Sequence, residues 1–193
     1  MTIPIPIPKR PSGVLLGDSA AELTIDAFVD LQCPHSRVIW PTLLELMSFY
    51  KNSSLSLRVH LMSLSNHRQA WDLNLGLLAL SDGNADKFYN FATILYECQD
   101  EFYNDAFKNK THEDLRQLIA DKAEHHFKID RSAFLNRMND HDIYILARTP
   151  IRYAATKSVW ATPTIFINNG SAVPLDHLST LQDWQNLIDP LFE

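Results

Sequence analysis

The feature that most constrains this chain is a change of hydrophobic period on either side of one cysteine. From Leu23 to Leu31 the sequence is apolar and β-branched, and Ile25, Phe28, Val29 and Leu31 read as a largely buried strand. That strand runs straight into Cys33-Pro34-His35-Ser36. Beyond the turn the apolar positions take helical spacing, at Ile39, Trp40, Leu43, Leu44, Met47 and Tyr50, with Pro41 inside the helix and expected to kink it. Asn52-Ser53-Ser54 reads as a turn, after which Leu55, Leu57, Val59 and Leu61 alternate as a second strand. Strand, helix, strand in this order favours a βαβ unit with a right-handed crossover.

The middle of the chain is helical by the same test. Asn66 to Leu80 carries Ala70, Trp71, Leu73, Leu77 and Leu78 and stops at Asp82-Gly83. Ala85 to Gln99 follows, with Phe88, Phe91, Ala92 and Leu95 on one face. Thr111 to Asp114 resembles a capping box before Leu115, Leu118 and Ile119, and Asp130 caps a short helix with Phe134, Leu135 and Met138. A further segment from about Asp142 to Lys157 is expected to be interrupted at Pro150. The end returns to sheet. Thr164-Ile165-Phe166-Ile167 is a strand former, Asn169-Gly170 a hairpin signal, and Ala172-Val173 a short partner strand with Pro174 at an edge. A last helix is expected from His177 to Leu187. The start, alternating Ile and Pro to Pro8, reads as extended, polyproline-like or an edge strand.

Composition narrows the function classes. A net charge of −6, without a run of Lys or Arg, argues against a general nucleic-acid binder. No apolar stretch nears the ~20 residues of a membrane span, so a soluble protein without a membrane partner is expected. The prolines of the start, with Lys9 and Arg10 behind them, do not read as a secretory signal, and the expected compartment is the cytoplasm. Two cysteines, Cys33 and Cys98, are too few for a disulfide framework or a structural zinc site. His125 and His126 are adjacent, so their rings diverge on a helix, and no metal site is expected.

Three local patterns now carry a resemblance. Phe28-Val29-Asp30-Leu31-Gln32-Cys33-Pro34-His35 is similar to the strand and Cys-Pro-His-Cys turn of DsbA-like proteins in the thioredoxin superfamily. Pro41 falls where thioredoxin-fold helices carry a proline. Ala161-Thr162-Pro163-Thr164-Ile165-Phe166-Ile167-Asn168 resembles the family's cis-proline segment. The resemblance implies an α/β thioredoxin fold with an inserted helical domain. Residues 1–64 would hold the N-terminal tail and the βαβ half, 65–150 the helical insert and 151–193 the ββα half. It also implies thiol–disulfide chemistry on protein or peptide partners, with Pro163 cis against the sulfur and the Thr162 backbone free to pair with an extended peptide or glutathione.

Two departures separate this chain from the family pattern. Ser36 replaces the second cysteine, and Ala27 stands where the family has a buried acid, with Asp26 next to it on the opposite face of a regular strand. A cysteine at a helix start meets free backbone N–H groups and the positive end of the dipole, which favour thiolate. The Cys33 sulfur is expected to lie exposed beside the proline loop. His35 can add positive charge or a hydrogen bond, Pro34 pre-sets the helical φ, and Ser36 can donate its hydroxyl to the sulfur. Cys33 can open a disulfide, but Ser36 cannot resolve the mixed disulfide that results.

The expected catalytic set is therefore Cys33, His35 and Ser36, with Pro34, Thr162 and Pro163 binding substrate. No cofactor is expected beyond glutathione as co-substrate. Two other readings stay open: a redox-inactive peptide-binding module, and an enzyme similar to kappa-class glutathione transferases, in which a serine such as Ser36 activates glutathione. Cys98 reads as a partly buried free thiol near a helix end.

Overall fold

The computed structural model describes residues 11–50 and 54–193, so the Ile-Pro start and most of the Asn52-Ser53-Ser54 turn lie outside the described residues. Four strands form one mixed sheet: β1 Val14–Leu16, β2 Leu23–Val29, β3 Leu55–Leu61 and β4 Thr164–Ile167, in the order β1-β3-β2-β4. β2 and β3 are parallel, as a βαβ unit requires, and β1 and β4 pair antiparallel at the two edges. The connecting helix α1 spans Pro34–Phe49 and keeps Pro41 inside it.

The pleat divides the sheet cleanly. Ile25, Ala27 and Val29 pair with Leu57, Val59 and Leu61 and join the main core with Ile39, Trp40, Leu43 and Leu46 of α1. Phe28, Met62 and Phe166 point to the other face and pack with Ala154 and Val159 in a second cluster. Asp26 shares that second face with His60, so it lies across the sheet from the Ala27 side, as strand geometry requires.

Five helices lie between β3 and β4: α2 Ala70–Ser81, α3 Ala85–Glu97, α4 His112–Phe127, α5 Arg131–Arg137 and α6 His141–Thr156. They bury Leu73, Leu77, Phe88, Phe91, Leu95, Ile119 and Ile143 in the main core, each contributing about 1.5–3 kcal/mol. The Thr111/Asp114 capping box and the Asp130 cap both form. The final helix α7, Leu181–Ile188, buries Trp184 and Ile188.

β1 has only three residues, too few for a periodic signal, and nothing in the sequence pointed to it. Three expectations need correction. α6 runs through Pro150 without interruption. The tight turn is centred on Asn168 and Asn169, both at positive φ (49° and 58°), one position earlier than the Asn-Gly pair; the partner strand shrinks to a single bridge between Phe166 and Ala172. α7 begins at Leu181, because Thr180 and Asp183 close a capping box there, so His177 sits in the preceding turn and not in the helix.

Candidate active site

β2 ends where the site begins. Asp30 sits between the apolar Val29 and Leu31 and is wholly buried. Its carboxylate accepts from the backbone N–H groups of Gln32 and Leu64, both at 2.8 Å, and faces His67 Nδ1 at 3.0 Å. Its carbonyl accepts from Cys33 N–H at 3.0 Å, which bends the chain into the helix. A buried carboxylate persists only with such partners. Asp30 was missed in the sequence, although an acid inside a strand read as buried was itself a signal.

Cys33 is the N-cap of α1, with Pro34 exposed at the first helical position. The sulfur's residue is only 3% exposed, so the expectation of an exposed thiol is corrected. Burial comes from the loop before β4. The Thr162–Pro163 peptide is cis, and Cys33 Sγ donates to Thr162 O at 3.3 Å. As a donor to that carbonyl the thiol is held in place at the start of α1. Thr162 is buried and its hydroxyl has no hydrogen-bond partner among the described residues, and Pro163 is half-buried beside it.

The expected hydrogen bond from the Ser36 hydroxyl to the sulfur is not formed among the described residues. Ser36 is wholly buried, and its hydroxyl accepts from Asp30 N–H at 3.3 Å. The Tyr96 hydroxyl reaches the Asp30 carbonyl in the same space, at 3.4 Å. Burial, with Asp30 and Cys33 adding to it, holds that phenol far above its usual range. His35 is exposed, and its Nδ1 lies 2.8 Å from His177 Nε2.

The helical insert grips the turn through amides. Gln99 is fully buried; its Nε2 donates to Leu31 O at 2.8 Å and Cys33 O at 3.0 Å, and its Oε1 accepts from Tyr103 OH at 2.7 Å. Gln32 Nε2 donates to Gln69 Oε1 and Asn104 Oδ1, and Gln32 Oε1 accepts from Gln69 N–H. No sequence pattern marked Gln69, Gln99 or Asn104, because their roles exist only once the insert packs on the turn.

Cys98 caps the end of α3, with Sγ donating to Ile94 O at 3.0 Å. Burial pushes its thiol up to about 11, opposed in part by Lys122. Both cysteines are free. Among the described residues, no cluster of three or more His, Cys, Asp or Glu could hold a metal ion, and no helix is long and apolar enough to cross a membrane.

A cysteine capping the helix after a central parallel strand, closed over by an X-Pro loop and backed by helices inserted between β3 and β4, defines the DsbA-like version of the thioredoxin fold. A family model described as thioredoxin (Thioredoxin_4) matches residues 9–190, and the chain belongs to that family. Solved structures agree on the fold. BdbD from Bacillus subtilis, in its oxidised form, superposes with a TM-score of 0.74 at 16% identity, over 93% of this chain and 92% of that one. Pseudomonas aeruginosa DsbA2 gives 0.68 at 20% identity, over 94% and 95%. A double cysteine-to-alanine variant of Wolbachia pipientis α-DsbA1 gives 0.71 at 21% identity, over 97% and 92%. No curated protein sequence matches the chain.

Proposed function

We propose that the chain is a thiol–disulfide oxidoreductase working through Cys33 alone. The Cys33 thiolate attacks a disulfide of a protein or peptide, forming a mixed disulfide and releasing one thiolate. An external thiol such as glutathione then attacks that mixed disulfide, frees Cys33 and leaves with the new disulfide. The observation that carries this reading is the placement of Cys33 Sγ at a helix N-cap, 3.3 Å from Thr162 O, with only a buried serine at the neighbouring position. The Thr162 carbonyl lies against the sulfur, Pro163 follows it on the loop where an extended peptide would lie, and Pro34 and His35 are exposed next to Cys33 in the turn.

The test is mass spectrometry after incubation with oxidised glutathione. An adduct on Cys33 and not on Cys98 supports the reading; absence of any Cys33 adduct overturns it.

A second reading, peptide binding without redox chemistry, draws support from the burial of the thiol and its bond to Thr162 O. It requires that peptide binding survive Cys33→Ser. A transferase role for Ser36 fits less well, since its hydroxyl is enclosed and already engaged by Asp30 N–H.

A further inference from the structure

An external thiol must lose its proton before it attacks, because only the thiolate is nucleophilic. Ser36 cannot take that proton from its buried position. Two titratable groups do stand at the surface of the turn. His35 is exposed on the first turn of α1, and His177 is half-exposed in the turn before α7. Their rings meet with centroids 4.0 Å apart at 61°, and His35 Nδ1 lies 2.8 Å from His177 Nε2. A bond between two imidazole nitrogens needs one donor and one acceptor, so it selects a tautomer for each ring.

Resting on the function proposed above, we infer that His177 is a positioning residue for His35. In the arrangement we infer, His177 Nε2 accepts the Nδ1–H of His35 and so holds that ring in the tautomer whose Nε2 bears the lone pair. That lone pair takes the proton of the incoming thiol. The resulting thiolate attacks the mixed disulfide, the old S–S bond breaks as the new one forms, and the departing sulfur recovers the proton from the imidazolium. Protons and electrons balance among two thiols and one disulfide. The pair thus supplies the proton transfer for a resolving thiol that the turn itself lacks.

The local build supports a fixed His177. Leu178 N–H donates to Asp176 Oδ1 at 2.7 Å, and Thr180 and Asp183 lock the next turn. The charged groups nearby have other partners. Arg37 of α1 pairs with Asp100 at 2.7 Å, Asp176 holds Leu178 N–H, and Asp183 accepts from Thr180 N–H at 2.8 Å. His177 was expected inside a helix, and only the Thr180 cap frees it to reach His35.

The test uses the full chain in a Cys98→Ser background. Cys33 is charged with glutathione as a mixed disulfide, and loss of the adduct on adding reduced glutathione, which frees Cys33 and leaves oxidised glutathione, is followed by acid-quenched mass spectrometry. His177→Ala should slow release about fivefold near pH ~7, well under the ~10²–10⁴-fold of losing a general base outright, because His177 only positions the base. The deficit should fade near pH ~9.5, where glutathione ionises unaided. His177→Gln, whose amide oxygen can accept the same N–H, should restore most of the rate. The double variant with His35→Ala should be no slower than His35→Ala alone. Equal deficits at both pH values, no deficit, or multiplying effects in the double variant would overturn the inference while leaving the proposed function standing. Failure of Cys33 to take the glutathione would overturn both.

Discussion

Replacing Asp30 should unlock the active-site turn at a measurable cost. In Asp30→Ala, the Gln32 N–H loses its 2.8 Å acceptor at a buried position, and the Leu64 N–H loses its own at a half-buried one. A buried donor without a partner costs about 1–3 kcal/mol, and bonds to a carboxylate lie toward the upper end. Gln32 should contribute about 2 kcal/mol and Leu64, which regains some water, about 1 kcal/mol. His67 is 13% exposed and can turn to solvent. The expected loss is about 3 kcal/mol, a large share of ordinary domain stability. Asp30→Asn keeps one oxygen for Gln32 N–H but presents an amide N–H to Leu64, so about half that loss is expected. Urea denaturation followed by fluorescence of the buried Trp40 and Trp184 gives both numbers. A cost under about 0.5 kcal/mol for Asp30→Ala, at unchanged m, would refute the assignment of Asp30 as the anchor of the turn.

Further outcomes follow from the same geometry. Ser36→Cys should let Cys33 form an internal disulfide, seen as a loss of two hydrogens by mass spectrometry, and should let the chain oxidise a dithiol peptide without external thiol; a variant that stays reduced in excess oxidant would contradict the first-turn pairing of these positions. Cys98, held up at about 11 by burial, should resist iodoacetamide at neutral pH and gain reactivity only in strong alkali, and rapid modification at pH ~7.5 would count against its environment. His60 is hydrogen-bonded to Asp26 at 2.9 Å, yet burial pulls its imidazole below the ordinary value, with Asp26 opposing and Arg58 assisting. The unfolded chain therefore binds a proton first as pH falls through about 6.5, and stability should drop on the acid side of that point. Urea midpoints at pH ~7.5 and ~5 would show the drop, and His60→Gln should lessen it; an equal drop in that variant would assign it to other groups.

The strands and helices that read clearly in the sequence are those with room for several periods. Leu55, Leu57, Val59 and Leu61 alternate over a full strand, and α1 repeats its apolar face over four turns, so the βαβ unit was legible. Val14–Leu16 offered no period at all, and Ala172 pairs through one bridge, so neither could be read with its true extent. Cys33 and the Thr162-Pro163 loop were marked by residue type. The partners that bury and anchor them were not, because Gln69, Gln99, Asn104 and His177 reach the turn only through tertiary packing. Ser36 carries no thiol to resolve a mixed disulfide, and that much was plain from its residue type. The direction of its hydroxyl was not, because the unpaired Asp30 N–H at the strand end competes for it.

The lifetime of a Cys33 mixed disulfide in the absence of any other thiol measures the central claim most directly. The Cys98→Ser chain, loaded with glutathione on Cys33 and freed of excess reagent, should keep the adduct unchanged by mass spectrometry and release it only when reduced glutathione is added. Release of the adduct by the purified chain alone, or a Cys33 that never accepts it, would contradict the account.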